Sequence, residues 1–211
     1  TLSYMRTPFP TRKLYLAEYL RKLSGTLGVT LLLLASPYSL PAVAQDVAPK
    51  SETDVNALGL LEQLRDADAG EAAKIAKQIK RNWARSGSAS ADLLFKRGRD
   101  ALGANKPKVA FEHLTALTDH APDFAEGWHM RASALYQQEL YGPALEDLER
   151  ALTLSPQHFD AIQGLGAIFE QLGDRKRAYE VYEQVLAIHP HHTTVLEAME
   201  RLEADVKGPA L

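Results

Sequence analysis

The sequence predicts an all-α protein: a solenoid of three stacked helix pairs, led by an N-terminal helical hairpin and closed by a C-terminal capping helix. Two observations carry this. Pro122, Pro156 and Pro190 stand 34 residues apart, and a fixed period in this range marks an array of helix-turn-helix units. Within the segments 91–124, 125–158 and 159–192, large and small residues recur in register. Position 4 is Leu94, Trp128 and Ile162; position 8 is Gly98, Ala132 and Gly166; position 11 is Ala101, Leu135 and Phe169. Position 20 is Ala110, Ala144 and Ala178, and position 24 is Leu114, Leu148 and Tyr182. No apolar–polar alternation of useful length appears, so no strand is expected.

The pattern has a steric cause. Positions 8 and 20 are expected to face each other where the helices of a pair cross, because only Gly or Ala leaves room there. Positions 4, 11 and 24 fill the space around that crossing. Each proline ends a unit, since it lacks an N–H and its ring blocks helix continuation. One pair cannot bury its own apolar face, whereas three stacked pairs share a continuous core.

Taken in order, residues 1–44 read as a secretory leader. Arg6, Arg12, Lys13, Arg21 and Lys22 form a basic start, an apolar run follows through Leu31–Ala35, and Pro37 and Pro41 break it. Ala42-Val43-Ala44 supplies a small-residue cleavage site, so cutting is expected after Ala44. The apolar run is short against the roughly 20 residues of a spanning helix, so no stable membrane insertion is expected after cleavage. Met5 fits an initiator. Residues 45–53 are polar and form a flexible lead. Helices are expected near 54–66, with Val55, Leu58, Leu61 and Leu64 on one face, and near 71–85, with Ile75, Ile79 and Trp83. Residues 54–90 are thus a cap shielding the end of the stack, or a degenerate fourth repeat. Six repeat helices follow near 91–103, 107–120, 125–138, 141–154, 159–172 and 175–188. The segment 193–211 holds a last amphipathic helix near 194–206, where Thr194 and Glu197 match a capping box.

Composition narrows the function. The chain has 24 Lys+Arg, 27 Asp+Glu and no Cys. Loss of the leader removes five basic residues and only Glu18 among the acidic ones, leaving a distinctly acidic chain. That argues against nucleic acid, which demands clustered Lys and Arg. Without cysteine there is no disulfide, thiolate metal site, cysteine nucleophile or lipidated cysteine.

From 91 to 192 the chain resembles the tetratricopeptide-repeat (TPR) family, whose template runs W-x2-L-G-x2-Y, then A-x3-F, then P. The resemblance implies a right-handed superhelix whose first helices line a concave groove for a peptide or partner helix. It also implies that repeat positions 2, 5, 9 and 12 face that groove. Here they are Asp92, Phe95, Arg99 and Leu102; Glu126, His129, Ser133 and Tyr136; and Asp160, Gln163, Ala167 and Glu170, with Met130 and Gln137 beside them. The expected partner-binding set is Phe95, Arg99, Leu102, His129, Met130, Ser133, Tyr136, Gln163 and Glu170. Phe95, Met130 and Tyr136 fit core packing equally well. The carboxylate clamp found in one branch of the family is absent, because Phe95, Arg99, Met130, Asp160 and Gly164 stand in its places. The groove therefore suits an apolar peptide with a few polar contacts.

Other groups in the sequence are candidates for chemistry. Asp92, Glu126 and Asp160 share one repeat position. They are either an acidic ladder for a basic ligand or carboxylates stabilised at helix N-termini by about 0.3–1 kcal/mol each. His189, His191 and His192 flank Pro190 and offer a metal-binding alternative, although neighbouring turn histidines rarely converge on one ion. No G-x-S-x-G, H-E-x-x-H or Walker motif is present, and Gly164-Leu165-Gly166 lacks the strand and third glycine of a dinucleotide site. No enzyme activity and no cofactor are expected. The resulting expectation is a periplasmic protein–protein adaptor supporting envelope assembly or integrity. Alternatives are an accessory of cytochrome c maturation, a metal-binding protein and a self-associating scaffold.

Overall fold

The computed structural model describes residues 52–207. The segment read as a leader, the expected cleavage site and most of the polar lead lie outside the described residues. Nine helices and no strand occur among the described residues. They are α1 (Glu52–Asp66), α2 (Ala69–Trp83), α3 (Ala89–Gly103), α4 (Pro107–His120), α5 (Ala125–Tyr136), α6 (Tyr141–Leu154), α7 (Phe159–Gln171), α8 (Arg175–Ile188) and α9 (Thr193–Lys207). None of these is long and apolar enough to cross a membrane.

Helices α3/α4, α5/α6 and α7/α8 pack as antiparallel pairs, and each pair stacks on the next through α4–α5, α6–α7 and α8–α9. The position-20 alanines Ala110, Ala144 and Ala178 are fully buried. Their role differs in one respect from the sequence expectation. The open side of the position-8 glycines is filled by position 24, not position 20. A Cβ on Gly98 would lie 2.5 Å from Leu114 Cγ, and one on Gly166 would strike the Tyr182 ring. Bulk at 24 is what demands a small residue at 8.

The turn inside each pair repeats too. Asn105 (φ 54°), Glu139 (φ 59°) and Gly173 (φ 77°) occupy the same repeat position in the left-handed region. A buried cluster locks the first two pairs together. Arg131 donates to both Asp147 carboxylate oxygens at 2.7 and 2.6 Å and to Thr118 Oγ1 at 2.8 Å, with the Trp128 ring 4.7 Å from its guanidinium.

Two ends depart from expectation. Helix α9 begins at Thr193, so Thr194 sits inside it; the His192 carbonyl accepts from Val195 and Leu196, and the proposed Thr194–Glu197 box does not start the helix. The N-terminal hairpin does not simply cover the open end of the stack. Helix α1 contacts α8, and α2 reaches the third pair, where Lys80 bonds Asp160 and Trp83 stacks on His158. Ala72, Ala76 and Ile79 form the buried apolar stripe of α2.

Candidate functional site

The turns that follow α4, α6 and α8 place three equivalent residues, Phe124, His158 and His192, immediately before α5, α7 and α9. His158 is the N-cap of α7. Its Nδ1 accepts from the Ala161 N–H at 3.2 Å, so its proton belongs on Nε2, which donates to Glu126 Oε2 at 2.7 Å. The same carboxylate oxygen meets His129 Nδ1 at 3.0 Å. Glu126 and His129 are one turn apart on α5, so a single helix face presents both to the neighbouring turn.

The electrostatics divide the two histidines. Burial pushes Glu126 up, but His129 and His158 outweigh it and hold the carboxyl down to about 2. Burial also opposes a charge on His129, yet Glu126 prevails and raises its pKa. Burial lowers His158 despite its bond to Glu126. Glu126 thus favours the charged form of His129, while burial favours the neutral form of His158.

Asp160, two residues after His158 in the first turn of α7, extends the cluster. Its burial would raise its pKa, but His192 beside it and the Lys80 ammonium hold it well below the usual carboxylate range. Lys80 Nζ donates to Asp160 Oδ1 at 2.8 Å and lies 5.4 Å from the Phe159 ring centre. Trp83 stacks on His158 with ring centres 3.9 Å apart and planes 17° apart. His189 and His192 are T-shaped at 5.1 Å, and each has a buried Nδ1 without a hydrogen-bond partner.

Glu126, His129 and His158 form the three-donor group among the described residues that could hold a metal ion; the turn histidines 189–192 do not. The hydrogen bonds argue against an ion at Glu126, His129 and His158. A metal on His158 Nε2 would drive the proton to Nδ1, where it would oppose the Ala161 N–H and break the helix cap. The arrangement holds protons well and a cation poorly.

Next to this cluster is a pocket of about 220 Å³ between α5 and α7. Small residues Ala132, Gly164 and Ala167 keep it open, Leu148 and Ile168 form its apolar floor, and His129, Ser133, Tyr136 and Gln137 supply polar atoms. A Cβ at Gly164 would meet Leu148 at 3.2 Å. A larger open trough between α1 and α2 is lined mainly by charged and polar residues such as Glu62, Gln63 and Lys74.

The structure distributes the sequence-predicted set. His129, Ser133 and Tyr136 come together in this pocket. Phe95 does not face the groove: it is buried in the core of the first pair, edge-on to Phe124 at 5.7 Å. Leu102 and Met130 pack against the same core. Apolar bulk at these positions is used between helices instead of being left to solvent. Arg99 is exposed, lies 5.7 Å from the Phe95 ring centre and lines a hollow with Ala76 and Lys77 of α2 and with Ala84 just after it. Gln163 is half-buried on α7 outside the pocket lining. Glu170 is used for packing, accepting from Tyr182 Oη and Arg201 Nη2 at 3.1 Å each. Asp92 likewise accepts from the Ser86 backbone and hydroxyl at 2.8 and 2.6 Å. The three position-2 carboxylates thus take different partners and do not form a free ladder.

His158, Trp83 and Lys80 were missed as members of one site. The available signal was the shared repeat position of His158 and His192 directly before position 2 of the next unit.

Two family models described as tetratricopeptide repeat match residues 95–159 and 135–202. Together they span just over half of the chain. The chain belongs to the tetratricopeptide-repeat family. A TPR repeat-containing protein of Rhizobium etli is 29% identical over 195 residues, covering 88% of this chain and 94% of the relative. The fold is similar to the first TPR of Spaghetti bound to an HSP90 peptide, with a TM-score of 0.54 at 23% identity over 56% of this chain and 94% of that one. It is also similar to MamA, with a TM-score of 0.52 at 21% identity over 68% and 82% of the two chains. The TPR2B domain of yeast Sti1, solved as a pHsp70 complex, gives 0.52 at 16% identity over 56% and 99%. In this TPR array Asp160, His129 and Arg99 are positions 2, 5 and 9 of successive repeats, a diagonal across the face formed by the first helices.

Proposed function

We propose that this chain is a non-enzymatic adaptor that holds a peptide or partner helix on the concave face of its TPR array. The observation that carries the reading is the pocket between α5 and α7, small enough for an apolar side chain and rimmed by His129, Ser133, Tyr136 and Gln137. Apolar side chains set into such a pocket supply affinity, while the polar rim fixes register. Two of the similar structures, the Spaghetti TPR and Sti1 TPR2B, carry bound partner sequences, which supports use of the same face here. The missing carboxylate clamp directs the choice toward an internal or helical segment rather than a chain terminus. The basic, apolar and small-residue order of residues 1–44 supports export to the periplasm, and there a role in envelope assembly or integrity.

Crosslinking in cells followed by mass spectrometry tests this reading. One dominant protein should be captured by the wild-type chain and lost with Arg99→Glu combined with Tyr136→Ala, while helical circular dichroism is unchanged. Capture that survives both substitutions would place the binding surface elsewhere.

A further inference from the structure

The docking of α2 shows what chemistry the concave face accepts. Lys80 and Trp83 are three residues apart, one helical turn, and both point into the solenoid. Lys80 bonds Asp160 and covers Phe159; Trp83 stacks on His158 and tilts against Phe159 at 4.8 Å. Farther along the same diagonal, Arg99 lines a hollow with Ala76 and Lys77 of α2 and with Ala84 just after it.

We propose that α2 is an intramolecular ligand of the concave face, and that the external partner is an amphipathic helix bearing a cation and an aromatic ring three residues apart, which takes the place of α2 on Asp160, His158 and Phe159. The proposal rests on the adaptor reading and adds to it both the partner's chemistry and a gate. Three observations support it. The receiving groups are held by the solenoid itself: His158 by the Ala161 N–H and Glu126, and Phe159 in contact with His189 and His192. None of these holding contacts involves α2. The hairpin has its own internal packing, since α1 and α2 contact each other, and the connection to α3 passes through Gly87 at φ 79° after Trp83. Finally, the Lys80 side chain is 48% exposed, so its bond to Asp160 is open to competition from solvent and from another cation. A tethered helix competes at high effective concentration, so a partner binds only in proportion to the fraction of chains whose hairpin is open.

The test uses the full chain and a fluorescein-labelled peptide of residues 68–84, read by fluorescence anisotropy. Lys80→Glu repels the tethered helix from Asp160 while leaving Trp83 in place. This variant should bind the peptide on the order of ten-fold or more tightly than wild type. Adding Asp160→Lys recreates an opposite-charge pair within the chain and repels the peptide's own lysine, so binding should fall back below the wild-type level. Asp160→Lys alone should instead take up a peptide that carries Lys80→Glu. Equal affinity of the peptide for wild type and Lys80→Glu, or binding indifferent to Asp160→Lys, overturns the proposal. In-cell capture separates it from the adaptor reading. A partner captured more strongly by Lys80→Glu supports both. A partner captured equally by the two chains retains the adaptor and overturns the gate. Peptide exchange as expected but no captured partner retains the intramolecular ligand and removes the adaptor.

Discussion

His189 shows how the buried histidines set the pH range of stability. It is 7% exposed and packs edge-on to Phe159. Burial, with His192 and Lys80 nearby, lowers its pKa from 6.5 to about 4. The unfolded chain therefore binds this proton first. The stability His189 contributes is complete above pH 6.5 and is lost as pH falls through about 4. His158, also lowered, acts in the same direction. His129 has the opposite sign: its raised pKa gives stability that is complete below 6.5 and is lost as pH rises through the raised value. Urea unfolding at a series of pH values from 4 to 8 should show that His189→Gln flattens the fall between pH 6.5 and 4. The same variant should leave the alkaline side unchanged. An equally steep acid limb in the variant would assign that fall to other groups.

At the scale of the helix pair, two positions measure how well each unit obeys the repeat. Gly98→Ala gains about 1 kcal/mol of helix propensity but forces a Cβ to 2.5 Å from Leu114 Cγ. Leu114 is fully buried and has no route outward, so overpacking of about 1–3 kcal/mol decides the sign and the variant should be less stable. Glu139→Gly should go the other way. Left-handed backbone costs a non-glycine residue about 1–2 kcal/mol, and the lost rigidity of Gly returns about 0.5–1 kcal/mol. A net gain of roughly 0.5–1 kcal/mol is expected from the same urea measurements. No gain would mean that the exposed Glu139 makes a compensating contact. These positions also mark what the sequence disclosed. Helix pairs, their bounds and the small-residue positions were legible because they depend on local periodicity. The role of Phe95 was not, because groove and core positions alternate along one helix and both accept an aromatic ring. The left-handed turn position was hidden because Asn105, Glu139 and Gly173 share a conformation and not a residue type.

For the described molecule as a whole, the decisive contact joins residues 80 positions apart, and nothing in local sequence announces it. Lys80 reads as one more solvated cation and Trp83 as the end of a surface helix, until the curvature of the array brings Asp160 and His158 beneath them. Stability should be uneven as a result. The solenoid helices bury continuous apolar surface, whereas the contacts of α2 with it run through one half-exposed ion pair and the ring contacts of Trp83 and Lys80 with His158 and Phe159. Regions with few buried contacts open first. Salt distinguishes the two parts, because at 1 M the screening length is about 3 Å and the Lys80–Asp160 attraction is partly exposed. Hydrogen exchange followed by mass spectrometry should show residues 69–83 exchanging faster than residues 141–171. Raising salt to 1 M should speed the first segment several-fold and leave the second nearly unchanged. The Trp83–His158 stack is not screened, so docking should weaken without vanishing. Exchange of α2 as slow as that of α6 and α7, and indifferent to salt, would make the hairpin a fixed part of the core and leave no opening through which a partner helix could replace it.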